Sequence, residues 1–135
     1  MRIITGSARG INLKTLEGED TRPTPERVKE AVFSSIQFDI AGKTVLDLFA
    51  GSGQMGLEAL SRGAEKATLV DASRDAANII TENAKKTKLY PKTNVLCMDW
   101  RAYIRAAGGR SSFDYIYLDP PYAMRLLPEI LAALY

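Results

Sequence analysis

The residues of this 135-residue chain best suited to chemistry are carboxylates that close short apolar runs, one of them beside a glycine-spaced loop. Asp47 lies in the apolar run 44–48, which passes into Phe49-Ala50-Gly51-Ser52-Gly53-Gln54-Met55-Gly56. Gly51, Gly53 and Gly56 spell G-x-G-x-x-G between a strand pattern and a helix pattern, a spacing that by itself suggests a dinucleotide pyrophosphate. Asp47 argues against that ligand, because two like charges roughly 4 Å apart cost several kcal/mol at intermediate dielectric. The same carboxylate suits a cation.

S-adenosylmethionine carries a sulfonium and an α-ammonium. Glycines let the backbone approach such a ligand closely, and Asp47 can pair with the ammonium. Asp71 closes the second apolar run, 20 residues after Gly51, where a carboxylate can accept both ribose hydroxyls. Asp99 closes the third and can accept from the adenine amino group, with Met98 or Trp100 lining the ring. The plainer alternative is that Asp71 and Asp99 are helix N-terminal acids favoured by the dipole. A fourth apolar run, 113–118, leads directly into Asp119-Pro120-Pro121-Tyr122. Two prolines fix φ and lack N–H groups, so the turn is stiff and its carbonyls are left to accept hydrogen bonds. An exocyclic amino group on a purine is a poor nucleophile. If Asp119 and the Pro120 carbonyl accept its two N–H bonds, they orient the nitrogen toward a methyl group and stabilise the positive charge that develops. Tyr122 can stack on the base, a contact worth roughly 1–3 kcal/mol; the plainer alternative is a strand followed by a proline turn, with Asp119 and Tyr122 solvated or packed.

Composition narrows the chemistry further. There is no histidine and only one cysteine, which excludes a Ser-His-Asp triad, a His or Cys zinc site and any disulfide. Cys97 itself falls inside the third run and reads as a buried small hydrophobe. Eighteen Lys and Arg against sixteen Asp and Glu is too balanced to indicate nucleic-acid binding by bulk charge. Between Asn83 and Phe113, Lys85, Lys86, Lys88, Lys92, Arg101, Arg105 and Arg110 stand against Asp99 alone, which reads equally as a local basic patch or as a solvated helix face. No apolar stretch is long enough for a signal peptide or a membrane span, so a cytoplasmic protein is the expectation.

Residues 1–16 read as a short basic hairpin that turns through Gly6 to Gly10 and stands outside the rest of the fold. Thr24-Pro25 opens a helix, Thr as N-cap and Pro at the first helical position, with Val28, Ala31, Val32 and Ile36 on its apolar face. From residue 43 short apolar runs alternate with helical periods, the pattern of repeated βα units and a parallel sheet. Strands are predicted at 44–48, 67–70, 94–98 and 115–118, and helices at 54–61, 73–87, 100–107 and 125–134. Residues 108–112 form a flexible loop, and Trp100 and Tyr103 are pocket wall or core.

Taken together, the opening Arg2-Ile3-Ile4-Thr5-Gly6-Ser7-Ala8-Arg9-Gly10, the segment Arg22-Pro23-Thr24-Pro25-Glu26-Arg27-Val28-Lys29-Glu30, the run 47–53, the run 56–64 and Asp119-Pro120-Pro121-Tyr122 resemble, in order, the class I S-adenosylmethionine-dependent methyltransferases. The closer resemblance is to the bacterial RsmD type, which methylates guanine N2 in 16S ribosomal RNA. It covers nearly the whole chain, and the segment 22–30 is its most specific part; the Asp-Pro-Pro-Tyr box is shared with DNA adenine methyltransferases. The resemblance implies an α/β, Rossmann-like sheet with an N-terminal β-hairpin and helix extension. It implies a cofactor site of Asp47, Phe49, Ala50, Gly51, Ser52, Gly53, Asp71, Ala72, Met98, Asp99, Trp100 and Asp119. Asp119, Pro120, Pro121 and Tyr122 would hold the target base, and Arg2, Arg9, Arg22, Thr24 and Arg27 would lie on the substrate side. Lys14 and the rest of the segment 22–29 join these as expected RNA-backbone contacts, with no metal and no membrane involved.

The family sheet has the order 3-2-1-4-5-7-6, and the chain stops after the helix that follows the fourth strand. The order 3-2-1-4 is therefore expected, with residues 1–42 as the extension and 43–135 as an incomplete cofactor-binding domain. The complete protein would be a monomer; in the shortened one the strand 113–118 is an exposed edge through which it could associate. Ribosomal RNA or an assembling small subunit is the expected partner. Alternatives are a methyltransferase acting on an adenine amino group in DNA, an NAD-dependent oxidoreductase built on the three glycines, and a catalytically silent cofactor-binding fragment.

Overall fold

The computed structural model describes residues 2–15, 26–107 and 113–118. Asp119 to Tyr122, Arg22, Thr24, the loop 108–112 and the expected helix 125–134 lie outside the described residues. Four parallel strands, β1 (Thr44–Asp47), β2 (Lys66–Asp71), β3 (Thr93–Cys97) and β4 (Tyr115–Tyr117), form one sheet in the order β3-β2-β1-β4. The helices are α1 (Glu26–Ile36), α2 (Gln54–Ser61), α3 (Arg74–Lys86) and α4 (Trp100–Ala107), with a 3₁₀ turn at Tyr90–Lys92. The parallel pairing is what βα periodicity predicted, and the order is the Rossmann-like one that the family resemblance implied.

Local chemistry accounts for the element boundaries. Ser73 caps α3, its hydroxyl accepting the Ala76 N–H at 3.2 Å, with Asp75 in the first turn and Lys85 and Lys86 in the last, each complementing the helix dipole. The span predicted as helix at 73–87 thus includes both of its caps. Gly53, in the left-handed region at φ +84°, turns the chain from the end of β1 into α2. Gly56 lets α2 approach the sheet: a Cβ there would stand 2.4 Å from Leu69 Cδ2.

Apolar side chains fill both faces of the sheet. One cluster includes Val45, Leu57, Leu60, Leu69 and Ile80; the other joins Leu46, Leu48 and Val70 to Trp100 and Tyr103. The hairpin does not stand apart as its basic composition suggested. Its strands meet through Ile3 N–H to Ile11 C=O at 3.0 Å and Gly10 N–H to Ile3 C=O at 2.9 Å, and Ile3, Ala8 and Leu13 are buried in the first cluster.

Three other expectations need correction. Val28 and Ala31 are exposed, and α1 instead buries Lys29 and Phe33, because an ammonium can be buried when a carboxylate receives it. For the same reason Lys29 is no RNA-backbone contact. Cys97 is half-exposed, since β3 is an outer strand and the residue falls at its end; its Sγ lies 3.7 Å from the Ala72 carbonyl.

Candidate functional site

Parallel strands carry all their carboxyl ends to one edge, and the pairing register places the acids along it. Asp47 is level with Leu69 on β2, so Asp71 stands two residues further out; Asp71 is level with Cys97 on β3, so Asp99 stands two residues further again. With about 3.3 Å per residue and about 4.8 Å between strands, the Cα positions of Asp47 and Asp71 lie roughly 8 Å apart, and Asp99 follows beyond the end of β3, immediately before α4. Burial follows the same gradient: Asp47 is 1% exposed, Asp71 half-buried and Asp99 exposed. An elongated ligand laid across this edge would meet a deep, an intermediate and an outer carboxylate.

The glycine loop lies over the inner step. Ala50 N–H continues the ladder to Val70 C=O at 3.0 Å, and Gly53 N–H closes a turn onto Ala50 C=O at 2.8 Å. Gly51, at φ +59°, donates its N–H to Asp71 Oδ2 at 2.9 Å, while Asp71 Oδ1 accepts from Ser73 N–H at 2.9 Å. Asp71 thus fixes the loop, and each oxygen keeps a further lone pair for a ligand hydroxyl. Asp99 Oδ2 accepts the Arg101 N–H at 3.2 Å, so the plainer role of a helix N-terminal acid is realised there too. Beside these acids Phe49 and Met98 are half-buried, Ala72 is exposed, and Ala50, Ser52 and Trp100 are buried.

The residues present fit S-adenosylmethionine on chemical grounds. A buried carboxylate sits at the loop, where a pyrophosphate would be repelled and an ammonium held. The Cβ direction of Gly51 meets nothing within 4 Å, so the loop leaves open space on that side. β4 lies directly against β1, with Asp47 level with Tyr117 and Leu48 N–H bonded to Tyr117 C=O at 3.3 Å. It therefore delivers the chain at Leu118, one residue before Asp119, to the edge that carries the loop.

On the proposed substrate side Arg2, Arg9 and Arg27 are exposed, as is Lys14. Arg2 pairs with Glu26 at 3.1 Å and Lys14 with Glu82 at 3.4 Å, both in solvent.

Two polar residues that sequence reasoning missed hold this arrangement together. Glu58 of α2 is fully buried and receives Ile4 N–H at 2.8 Å, Thr5 N–H at 3.1 Å, Arg62 Nε at 2.9 Å and Lys29 Nζ at 3.2 Å. Burial pushes the Lys29 ammonium below its ordinary value against the pull of Glu58. Asn83 of α3 joins the hairpin to the glycine loop. A signal for it exists in the sequence: Asn83 falls at positions +3 from Ile80 and +7 from Ala76, a polar residue on an apolar helical face.

The conserved hypothetical protein 95 family model matches residues 1–135. YlbH of Bacillus subtilis is 42% identical over 132 residues, which cover 97% of this chain and 72% of that protein. The ribosomal RNA small subunit methyltransferase D of Haemophilus influenzae is 35% identical over 99% of this chain and 70% of its own length. Among solved structures, yhhF of Escherichia coli superposes with a TM-score of 0.86 at 31% identity, covering 99% of this chain and 71% of that one. SMU.776, solved as a complex with SAH, has a TM-score of 0.62 at 26% identity over 69% of this chain and 25% of its own. No helix among the described residues is long and apolar enough to cross a membrane.

Proposed function

The chain belongs to the conserved hypothetical protein 95 family, that of the ribosomal RNA small subunit methyltransferases D, and from that membership we propose that it methylates the exocyclic N2 amino group of a guanine in small-subunit ribosomal RNA. Its cofactor is S-adenosylmethionine. Bound at the glycine loop, that cofactor supplies an electrophilic methyl group. Asp47, Asp71 and Asp99 would take its ammonium, ribose hydroxyls and adenine amino group in turn, the three acids matching the order of those groups along the molecule.

The chain's own part in the chemistry is acceptance and orientation. In this reading Asp119 and the Pro120 carbonyl accept the two N–H bonds of the target amine, Pro121 stiffens the turn, and Tyr122 stacks on the base once it leaves its helix. Arg2, Arg9, Arg22, Thr24 and Arg27 bind the surrounding RNA, in the cytoplasm, with free RNA or an assembling subunit as the partner. The observation that supports this reading most is the adjacency of β4 to β1, which brings Leu118 to the edge where the glycine loop sits.

Small subunits from a strain lacking the methyltransferase, incubated with the protein and isotopically labelled S-adenosylmethionine and digested to nucleosides, are expected to yield labelled N2-methylguanosine. Label in an adenosine, or none, overturns the target. Asp119→Ala should abolish transfer while S-adenosylhomocysteine still binds; retained turnover would refute the role given to Asp119.

A further inference from the structure

Asn83 joins the end of the hairpin directly to the glycine loop. It is 1% exposed on α3, the helix that follows Asp71. Its Oδ1 accepts the Lys14 N–H at 2.8 Å, and its Nδ2 donates to the Lys14 carbonyl at 2.8 Å and to the Ser52 carbonyl at 2.9 Å. Only an amide in this orientation serves all three partners, since one is a donor and two are acceptors. Aspartate would set a carboxylate against two carbonyls, that of Ser52 buried and that of Lys14 partly so, and an apolar residue would leave all three without this partner.

The two ends of the bridge are functionally distinct. Ser52 lies between Gly51 and Gly53, so its carbonyl is a third internal anchor of the cofactor loop, beside the Gly51 bond to Asp71 and the Gly53 bond to Ala50. Lys14 ends the hairpin, and the chain continues from it toward Arg22 and Thr24. Lys14 is anchored through both its backbone groups, as a residue in a sheet ladder would be, so any displacement of the hairpin's end is transmitted to the amide and from there to the loop.

We propose that Asn83 is a positioning residue that holds the N-terminal, RNA-facing segment in register with the cofactor loop, so that cofactor and RNA binding are coupled. The inference rests on the RNA-methyltransferase reading for the identity of the second ligand. The coupling is reciprocal by necessity: whatever factor RNA adds to cofactor affinity, cofactor adds to RNA affinity.

Hydrogen exchange on the unmodified protein provides one test, independent of methylation. Adding S-adenosylhomocysteine should slow exchange of the Lys14 amide at least about fivefold, the low end of ordinary coupling. A Lys14 amide indifferent to S-adenosylhomocysteine overturns the proposal even if the protein methylates RNA. Calorimetry with variants provides the other. Asn83→Ala should weaken S-adenosylhomocysteine binding about tenfold, the equivalent of one buried hydrogen bond. It should also abolish the gain in that affinity produced by small-subunit ribosomal RNA in the wild type. Ala84→Gly, at a buried neighbour on α3 whose carbonyl bonds Leu89 N–H and the Thr87 hydroxyl, controls for general loosening of the helix and should leave the affinity unchanged. Equal losses in the two variants, or a wild type whose S-adenosylhomocysteine affinity ignores RNA, would refute the coupling. Absence of RNA methylation by the wild type would instead refute the functional reading and leave the exchange result standing.

Discussion

The buried cluster around Glu58 makes an asymmetric prediction. Glu58 is fully buried and receives four donors, whereas Lys29, 1% exposed, gives its ammonium to Glu58 and to the Arg2 carbonyl at 2.9 Å. Glu58→Ala leaves a buried ammonium without its counter-charge and strips the acceptor from Ile4 and Thr5; breaking a buried pair this way costs about 3–5 kcal/mol. Lys29→Met removes a charge whose desolvation already opposes the pair, and Glu58 keeps Arg62 and two backbone N–H groups. Its cost should be no more than about 1 kcal/mol, because the Arg62 guanidinium remains as counter-charge and Glu58 is not left as the uncompensated buried charge that makes breaking such a pair expensive. Unfolding entropy of about 2.1 cal/mol/K per residue gives roughly 0.28 kcal/mol/K for this chain, so the two variants should melt about 14 °C and under about 4 °C below the parent. Urea unfolding followed by circular dichroism at several temperatures measures both. If Lys29→Met costs as much as Glu58→Ala, the carboxylate is not the organising charge, and the reasoning fails.

Three further substitutions probe the helix–sheet contact, the cofactor loop and the β1–β4 junction. Gly56→Ala drives a Cβ to 2.4 Å from Leu69 Cδ2 in a fully buried contact and should cost about 1–3 kcal/mol in urea melts; an unchanged midpoint would mean that the helix can lift off the sheet freely. Gly51→Ala meets no atom within 4 Å but sits at φ +59°, so stability should fall by only about 1–2 kcal/mol while S-adenosylhomocysteine affinity drops more steeply. Calorimetry that finds affinity intact would remove the loop from the cofactor site. The Thr44 backbone N–H holds the Asp114 carboxyl below the usual aspartate value, so its contribution to the β1–β4 junction is complete above that ordinary value and is lost as pH falls through the lower, folded one. Asp114→Ala should therefore narrow the stability difference from the parent in strong acid; a difference that stays constant down to the acid transition would contradict the assignment.

The sheet and the helices between its strands were legible because apolar periodicity and helix caps are local signals: α2 and α4 fall at the expected residues, and the strand ends differ by at most one residue. The carboxylate edge was legible because every strand of a parallel sheet points its acid the same way. Burial of single residues was not legible in the same manner. Lys29 reads as a surface cation until Glu58, far along the sequence, is brought beside it, and Val28 reads as core although α1 turns Lys29 and Phe33 inward instead. Cys97 reads as buried only if β3 is covered on both sides.

The hairpin's dependence on side-chain acceptors follows from its size. Two short strands joined by one antiparallel bridge, Arg2 with Asn12, are at best marginally stable in water, and their inward backbone groups cannot be left unpaired in the core. Side chains of α2 and α3 provide for them: Glu58 receives Ile4 and Thr5, Ser61 Oγ receives the Ala8 N–H and donates to the Thr5 carbonyl, and Asn83 meets both backbone groups of Lys14. Gly6 is required in the same contact, since a Cβ there would fall 1.8 Å from the Ser61 carbonyl oxygen. These two helices begin at the glycine loop and just after Asp71, the two inner contacts proposed for the cofactor. The position of the basic hairpin is therefore dictated by the elements that shape the cofactor edge. A change that shifts α2 or α3 moves the expected substrate side and the cofactor side together.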